Sequence, residues 1–391
     1  MNRPFLFSAF DTKTLTADAA TEVSFNLSKL PLKREGQWAH LRAVILCFTL
    51  NIVQAASTGA AVKIVDLYRL VQAAVLKRNG NLGRMRFKTG HQIRIFNAIM
   101  NGGTWRDYKP ASDIAANGGG SPVTTSVTFY LPLYLDAPCL EDPNSLLYPC
   151  AAYVNGSFDF NVGAVSSVLG ATISLSGTNT VKLYADLVTR DELQAGVDLE
   201  VFNKSNSATS GSTTTAIDPG AYVLMALACE KTGTTTGGDD HGLFSDVSSL
   251  NYFPERFPSA TGTFLLHRYM QQKTTDWTRN VAYGSNALPL IYPAGSDGGG
   301  ARLTHNVLNR RETTAFDIST TLSSSLSLGI EFLLGRVNQH DPAHLADILN
   351  VCEVPQTAGR WVPKGSSGRA PKAERTPYVP MVFLPSGAAA A

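Results

Sequence analysis

The sequence has 391 residues, enough for two domains with a sizeable buried core, and its 33 basic and 31 acidic residues give a formal net charge of +2. That balance argues against a dedicated nucleic-acid-binding protein, because a phosphate backbone requires a surface of one sign. Charged residues make up only 16%, whereas Gly and Pro number 33 and 20, so the composition favours a sheet protein over a helical one.

The amino terminus and the cysteines indicate the compartment. Residues 1 to 10 contain no apolar segment behind a charged start, so no secretory signal is predicted. The longest apolar run, Ala43 to Val53, is too short to span a bilayer. The five cysteines lack CxxC or Cys/His metal spacing; Cys139 and Cys150 share a loop and could meet, but buried thiols in a reducing cytosol are the preferred interpretation. We expect a soluble protein that folds in a cytoplasm.

The first predicted elements are strands, followed by two helices. Glu22 to Leu27 alternates polar and apolar residues as a half-buried strand does, and Leu41 to Val53 is continuous enough for a strand buried on both faces. Apolar residues three and four apart predict a helix over Ile64 to Val75, before a turn at Asn79-Gly80. A second helix is predicted over Thr89 to Asn101, with Thr89 as its cap. We interpret both helices as insertions within a β domain.

The clearest strand is Val127 to Leu135, which follows a glycine-rich segment, Asp113 to Thr125, predicted to be a flexible surface loop. Pro132 lies inside this strand and cannot donate a ladder hydrogen bond, so the strand is expected at a sheet edge or with a bulge. Pro289 holds the matching place in a later strand. The same local irregularity is therefore expected twice.

Similar short sequence motifs recur in the two halves of the chain. Leu131-Pro132-Leu133-Tyr134 precedes Phe158-Asp159-Phe160, and Leu288-Pro289-Leu290-Ile291 precedes Phe316-Asp317-Ile318 at nearly the same spacing. Each pair leads into one more apolar run that ends near an arginine, over Val181 to Val188 and Leu328 to Val337. The order indicates one β unit used twice. Chance similarity of short words is the alternative.

A stretch of small polar residues, Asn203 to Thr215, is predicted to be a linker or an exposed loop between the units. The predicted division is an N-terminal arm over 1–20, a first unit over 21–205, a second unit over 206–350 and a tail over 351–391. Further strands are predicted in the second unit, over Tyr222 to Cys229, Thr263 to Met270, Ala287 to Tyr292, Ala315 to Thr320 and Leu328 to Val337, and a short helix after Asp341.

The tail from Val351 to Ala391 is rich in proline and basic residues, which is typical of an extended arm with little core of its own. Within it, Tyr378 to Leu384 is apolar enough to dock onto this chain or a neighbour. The candidate assembly contacts of the tail are Arg360, Trp361, Lys364, Arg369, Lys372, Arg375, Tyr378 and Phe383.

No catalytic, cofactor or metal site is predicted. Asp239-Asp240-His241 is the densest cluster of metal-binding residue types, but glycines surround it and a solvated loop is favoured. His340 and His344 have the spacing of two ligands on one helix face, yet Pro342 between them favours an ordinary cap region. Gly118 to Ser121 lacks the Gly-Lys-Ser or Gly-Lys-Thr of a phosphate loop.

The order of elements resembles the double jelly-roll major capsid proteins of tailless, internal-membrane bacteriophages of the tectivirus kind. The resemblance rests on Phe-Tyr-Leu-Pro-Leu-Tyr at 129 to 134, Phe-Asp-Phe at 158 to 160, Tyr-Ala-Asp-Leu at 184 to 187, Gly-His-Gln-Ile-Arg-Ile-Phe-Asn at 90 to 97 and Leu-Gly-Ile-Glu-Phe-Leu-Leu-Gly-Arg at 328 to 336. It is diffuse, because it depends on order and spacing.

The resemblance implies an all-β fold of two fused eight-stranded jelly rolls, with short helical insertions and an extended C-terminal arm. It further implies a homotrimer of pseudo-hexagonal outline that tiles an icosahedral shell around a membrane-enclosed genome, alongside neighbouring capsomers and penton and minor capsid proteins. The implied location is the virion, after assembly in the host cytoplasm. Only a short segment precedes the first strand, which puts contact with the viral inner membrane in doubt.

Two other functions stay open on the sequence. One is a carbohydrate-binding or glycan-cleaving β-sandwich, for which Trp38, Trp105, Trp277 and Trp361 are the residues that could stack on sugars. The other is a minor virion component of similar fold.

Overall fold

The structure, a computed structural model, describes residues 3–7, 11–15, 19–59, 61–79, 85–101, 113–138, 144, 146–193, 198–206, 210–218, 220–229, 247–252, 287–291, 311–312, 316–322 and 330–337. Within these ranges the chain consists mainly of strands, with three α-helices: α1 (Ile64–Leu67), α2 (Gly90–Met100) and α3 (Val165–Leu169). No helix there has both the length and the hydrophobicity needed to cross a membrane.

The strands fall into two sets along the chain. The first set is β1 (Arg3–Phe7), β2 (Thr12–Leu15), β3 (Thr21–Asn26), β4 (Lys33–Arg34), β5 (Gln37–Gln54), β6 (Val71–Lys77), β7 (Met85–Thr89), β8 (Val123–Tyr134), β9 (Tyr148–Pro149), β10 (Ser157–Val162), β11 (Ile173–Leu175) and β12 (Asn179–Arg190). The second set is β13 (Leu199–Asn206), β14 (Gly211–Ile217), β15 (Gly220–Cys229), β16 (Val247–Tyr252), β17 (Ala287–Ile291), β18 (Arg311–Glu312), β19 (Phe316–Leu322) and β20 (Ile330–Val337).

β5 is the central strand of an eight-stranded sheet, as expected for its long apolar run. β12 and β8 pair antiparallel with its two sides, and β1 and β2 pair with β12. The sequence predicts an arm over residues 1–20, whereas Arg3–Phe7 and Thr12–Leu15 extend this sheet. These two segments are too short for a strand period to be recognised in the sequence. Their pairing with β12 could therefore not be predicted.

The core of the first half lies between this sheet and a second sheet that contains β3, β10, β6 and β7. Phe48 of β5 stacks on Phe129 of β8 with ring centroids 4.8 Å apart, and Phe160 of β10 meets Phe48 edge-on at 6.2 Å. These rings come from both sheets and are fully buried, so the two layers share one aromatic centre.

The helix predicted over Ile64 to Val75 is wrong in its second half. α1 and a 3-10 turn end at Leu70, and Val71–Lys77 is strand β6, paired with β10 and β7. Ala73 has a φ of +49° and lies at a bulge, where two residues of β6 oppose one of β10. The bulge places Val71 and Ala74 on the same buried face three residues apart, so an interrupted strand imitates a helical period.

The second predicted helix is confirmed as α2, which is buried from Gly90 to Ala98 and at Met100. Thr89 caps it as predicted, because its hydroxyl accepts from the Gln92 amide at 3.4 Å. Gly90 is required at the first turn: a Cβ there would lie 2.4 Å from the Tyr68 carbonyl oxygen and 2.8 Å from Leu131.

The linker predicted over Asn203 to Thr215 is also wrong, because β13 and β14 occupy most of it. β13 pairs antiparallel with β20 over its whole length, from Leu199 opposite Val337 to Asn206 opposite Ile330. Strand pairing in the second half gives order to a segment whose composition alone is typical of a loop. We therefore propose that the second unit begins near residue 198.

The repeated sequence motifs occupy equivalent places in the topology of the two halves. In the first half β8 and β12 flank β5, and in the second β17 and β20 flank β15. The two Phe-Asp motifs begin at Phe158 in β10 and Phe316 in β19. Each of these strands lies in a different sheet from the three strands just named for its half of the chain. The internal similarity of the sequence thus corresponds to a repeated arrangement of strands.

Candidate structural site at the junction of the two halves

One sheet runs from the first half into the second. Its nine strands follow the order β17-β15-β20-β13-β7-β6-β10-β3, with β18 beside β15. The crossing point is a parallel contact between β7 and β13, where Met85 is opposite Val201. Nearby, the side-chain amide of Asn203 donates to the Arg86 carbonyl at 3.2 Å. This backbone contact is short, so the side chains around it must supply much of the connection.

Glu331 is the most deeply buried acid at the junction. It lies on β20 with its side chain only 5% exposed, and it receives the ammonium group of Lys88 from β7. The Ser205 hydroxyl of β13 lies 2.9 Å from both of its carboxylate oxygens. A buried carboxylate is tolerated only when charge and hydrogen bonds compensate its lost hydration, so this cluster ties the two halves together.

A second buried ion pair connects the end of β6 to the start of β13. Arg78, with its side chain 4% exposed, pairs with Asp198, and its guanidinium lies over the Tyr148 ring at 3.7 Å. Burial raises the pKa of the Tyr148 and Tyr153 hydroxyls, which stay neutral beside this pair. The cavity among these side chains is only ≈ 10 Å³, too small for a ligand.

The chemistry of the junction is structural. Each buried charge there faces a group of opposite charge, and the phenols beside them are protonated. Across the described ranges, no group of three or more His, Cys, Asp or Glu side chains is arranged to hold a metal ion. The arrangement can therefore fix the relative position of two sheets, and it offers neither an activated nucleophile nor an open ligand position.

Helix α2 supports the first half just behind β7. Asn97 donates to the Pro132 carbonyl at 2.7 Å and accepts from the Tyr134 amide at 3.1 Å. His91 is buried, and desolvation, followed by the positive charges of Arg94 and Arg69, lowers its pKa to about 3. A neutral imidazole in this position is a packing group.

A groove of about 390 Å³ lies at the open end of β8. Asn117 orders the loop on one side of it, because its side-chain amide donates to the carbonyls of Ala55 and Ser121 and its oxygen accepts from the Gly119 amide. The segment predicted to be flexible thus has a defined course here. Val123 on the other side is 45% exposed, a large value for an apolar side chain.

Most candidate site residues of the sequence lie outside the described residues. These are Arg360, Trp361, Lys364, Arg369, Lys372, Arg375, Tyr378 and Phe383 of the tail, together with Asp239-Asp240-His241, His340, His344, Trp105, Trp277, Cys139, the strand predicted over Thr263 to Met270 and the helix after Asp341. Their roles stay predictions.

Two candidates can be placed. Trp38 is buried, and the Lys33 ammonium lies over its ring at 4.0 Å, so this ring does not offer a face to a sugar. Cys150 and Cys47 are both buried thiols. For both cysteines the structure agrees with the interpretation as buried thiols.

The junction residues do not form a recognisable motif in the sequence. A signal existed at Glu331, a lone acid between Ile330 and Phe332 in the apolar first part of a strand, which requires a cationic partner. The partner itself lies 243 positions away, and only the pairing of β7 with β13 brings it close.

No protein-family model matches the chain, and no curated protein sequence is significantly similar to it. Solved structures do match. The crystal structure of the STIV MCP aligns with a TM-score of 0.52 at 13% identity, covering 86% of this chain and 97% of that one. The atomic structure of Sulfolobus Turreted Icosahedral Virus gives 0.47 at 11%, covering 90% and 97%, and the mavirus major capsid protein gives 0.40 at 10%, covering 85% and 86%.

The first of these neighbours carries the comparison of folds. It is a double jelly-roll major capsid protein of a virus, and nearly its whole chain is covered. The likeness confirms the predicted fold class, an all-β double jelly roll.

Proposed function

We propose that this chain is a viral major capsid protein that assembles into a closed shell with other copies of itself. The proposal rests on the fold that it shares with the STIV MCP. The proposal further includes homotrimeric pseudo-hexagonal capsomers, an icosahedral shell around a membrane-enclosed genome, and membership of the tectivirus-like group of bacteriophages. The protein is then a virion component without catalytic activity, assembled in the host cytoplasm.

The continuous sheet across the two halves fits the role of a rigid shell subunit. β7 and β13 join the halves, and the Lys88–Glu331 and Arg78–Asp198 pairs connect them through side chains. A shell subunit transmits load between its neighbours, and two rolls that share a sheet and buried ion pairs resist hinge motion. A rigid block repeated by symmetry needs few self-complementary surfaces to tile a shell.

The partners follow from the same role. We propose that neighbouring capsomers, penton proteins and minor capsid proteins contact the surface of the block, and that the tail residues from Arg360 to Phe383 supply part of the contacts between copies. Contact with an inner membrane belongs to the proposal as well. The near-zero net charge of the chain does not favour sequence-specific binding to nucleic acid.

The test begins with the purified full chain. Size-exclusion chromatography with light scattering is expected to give a trimer, and negative-stain microscopy is expected to show triangular or hexagonal capsomers and shells. A trimer of this kind buries well over about 2,000 Å² per interface, as obligate assemblies do. A stable monomer at micromolar concentration that forms no particles would contradict the proposal.

The alternatives have their own readouts. A glycan array and a hydrolysis screen are expected to be silent for a shell subunit, whereas a carbohydrate-active protein would respond. A minor virion component would be present in purified particles at a copy number far below that of the shell protein.

A further inference from the structure

Strand β8 has an open edge at its amino-terminal end. It pairs with β5 on one side, and within the described part of the chain no strand pairs with its other side. The Pro132 carbonyl and the Tyr134 amide both bind Asn97, which shows that even-numbered residues of β8 direct their backbone groups away from β5. By the period of a strand, Thr124, Ser126 and Thr128 do the same.

The ladder on the opposite side of β5 supports this assignment. Asn51 lies opposite Ser126, and its amide donates to the Asn179 side chain on the β12 side. Asn51 and Ser126 are therefore a pair that exchanges no backbone hydrogen bonds, and the backbone groups of Ser126 point outward.

Nothing in the sequence of this edge discourages another strand from pairing with it. Thr124 and Ser126 are exposed, Thr128 is half-buried, and residues 123–129 contain neither a charge nor a proline. Soluble proteins usually protect a sheet edge with lysine, proline, a bulge or a covering segment. An uncharged, β-branched edge of this kind is suited to receive a strand.

The groove beside the edge provides space for the side chains of that strand. Val123, Thr125 and Val127 line it from β8, and Ile114 and Ala115 line it from the facing loop. Odd-numbered side chains of β8 point to this side, as the buried Phe129 shows. An added strand would therefore place alternate side chains over apolar and small residues.

The tail of the chain contains a segment that matches this edge. Tyr378 to Leu384 is uncharged and lies between Pro377 and Pro385, with Pro380 inside it. If the odd-numbered residues direct their backbone groups toward β8, then Val379, Met381 and Phe383 offer three N–H groups to it. The backbone of Pro380 then faces away from β8, where no donor is needed. These three donors match the three residues of β8 whose backbone groups point outward. In this register the side chains of Pro380 and Val382 point toward the groove.

The reach of the tail allows it to come from another copy. About 40 residues separate the end of β20 from this segment, and an extended chain of that length spans about 130 Å. Within the described part of the chain no segment pairs with this edge, and we assign the added strand to a neighbouring copy.

We propose that the β8 edge at Thr124, Ser126 and Thr128 receives Val379 to Phe383 of a neighbouring copy as an antiparallel strand. This inference rests on the proposed function, because the strand is exchanged when copies assemble. It identifies the surface that holds the tail and the register in which the tail binds.

Amide hydrogen exchange on the full chain tests the proposal, with particles compared with dissociated subunits. The amides of Thr124, Ser126 and Thr128 are expected to exchange at least about tenfold more slowly in particles, because each gains a hydrogen bond. Met381→Pro removes a donor that faces β8 and is expected to abolish this protection and lower the particle yield. Val382→Pro is the matched control, because its missing donor faces away, and it should retain both.

Each other outcome has a defined meaning. Wild-type particles in which the three amides exchange as fast as in free subunits would overturn the inference and leave the proposed function standing. Protection already present in dissociated subunits would assign the strand to the same chain and overturn the exchange between copies. Equal protection in the two proline variants would overturn the register. Failure of the wild-type chain to form particles would overturn the proposed function and the inference with it.

Discussion

The side-chain amide of Asn97 takes the place of a neighbouring strand at Pro132. Its Nδ2 donates to the Pro132 carbonyl at 2.7 Å, and its Oδ1 accepts from the Tyr134 amide at 3.1 Å. The pyrrolidine nitrogen of Pro132 points to the same side as its carbonyl, away from β5, so the missing N–H costs no ladder bond. A helix side chain thereby satisfies the strand edge that the proline leaves incomplete.

Replacing Asn97 should test this arrangement directly. Asn97→Ala leaves the buried carbonyl of Pro132 and the buried amide of Tyr134 without their partner, and each buried unsatisfied group costs about 1–3 kcal/mol. We expect a loss of about 2–4 kcal/mol in the free energy of unfolding, measured by urea denaturation. Asn161→Ala on the exposed face of β10 is the control and should change stability by less than about 0.5 kcal/mol. Equal effects of the two variants would contradict the role given to Asn97.

The two prolines show how far the sequence could predict the fold. Pro132 lies on the free side of β8, as the edge prediction requires, and β5 and β8 pair without a bulge there. Pro289 lies opposite Ala226, next to a register shift at which β17 has one extra residue, Leu290. β17 is also the last strand of its sheet within the described part of the chain, so the second half combines an edge with a bulge. Proline chemistry predicts an edge or a bulge, and Pro132 meets this requirement through an edge alone.

The two segments whose structure differs from the prediction, Val71–Lys77 and Leu199–Asn206, differ for a common physical reason. The bulge at Ala73 and the pairing of Leu199–Asn206 with β20 are both long-range features, and each overrides the local pattern. Local pattern was sufficient for α2 and β8, whose periodicity is long and uninterrupted. The junction could not be predicted, because Glu331 indicates that a cationic partner is needed but only the sheet identifies Lys88 as that partner.

The close packing around Gly90 gives a second prediction. Gly90→Ala places a methyl group 2.4 Å from the Tyr68 carbonyl oxygen, which is backbone and cannot turn aside. Overpacking of this kind costs about 1–3 kcal/mol or more, and we expect a thermal transition several degrees lower. Gly118→Ala is the control: the added Cβ meets nothing within 4 Å, so the midpoint should stay nearly constant. A Gly90→Ala variant as stable as wild type would show that α2 can move away from this turn.

The junction gives a third prediction, with a control of nearly equal lysine exposure. The Lys88 side chain is 46% exposed and its partner Glu331 is 5% exposed, whereas Lys13 is 40% exposed and its partner Asp11 is 51% exposed. Lys88→Met leaves the buried carboxylate of Glu331 with the Ser205 hydroxyl as its one remaining donor among the described residues. Solvent around the lysine moderates the loss to about 1–3 kcal/mol.

Lys13→Met should change the free energy of unfolding by less than about 0.5 kcal/mol, because an exposed pair is well solvated. Both variants are compared by urea denaturation at neutral pH. A Lys88→Met variant no less stable than Lys13→Met would show that burial of the partner does not determine the contribution of the junction pair.

His91 predicts how stability depends on pH. Its pKa falls from an ordinary 6.5 to about 3 in the folded protein, because burial removes its hydration and the positive charges of Arg94 and Arg69 repel a protonated imidazole. Between these two pKa values the unfolded chain binds the proton and the folded chain does not, so stability falls as the pH is lowered below about 6.5. The contribution of His91 to that slope is at most about 1.4 kcal/mol per pH unit.

Urea denaturation between pH 7 and pH 4.5 measures this slope. Carboxylates such as Asp159 add their own loss of stability at more acidic pH. Burial opposes a low pKa for Asp159, but hydrogen bonds from Lys77, Ser24 and Ser157 lower its pKa. The comparison is therefore with His91→Gln, which keeps a neutral polar side chain at every pH. The variant should lose stability less steeply than wild type over pH 6.5 to 4.5, and identical slopes would mean that His91 is solvated and titrates normally in the folded protein.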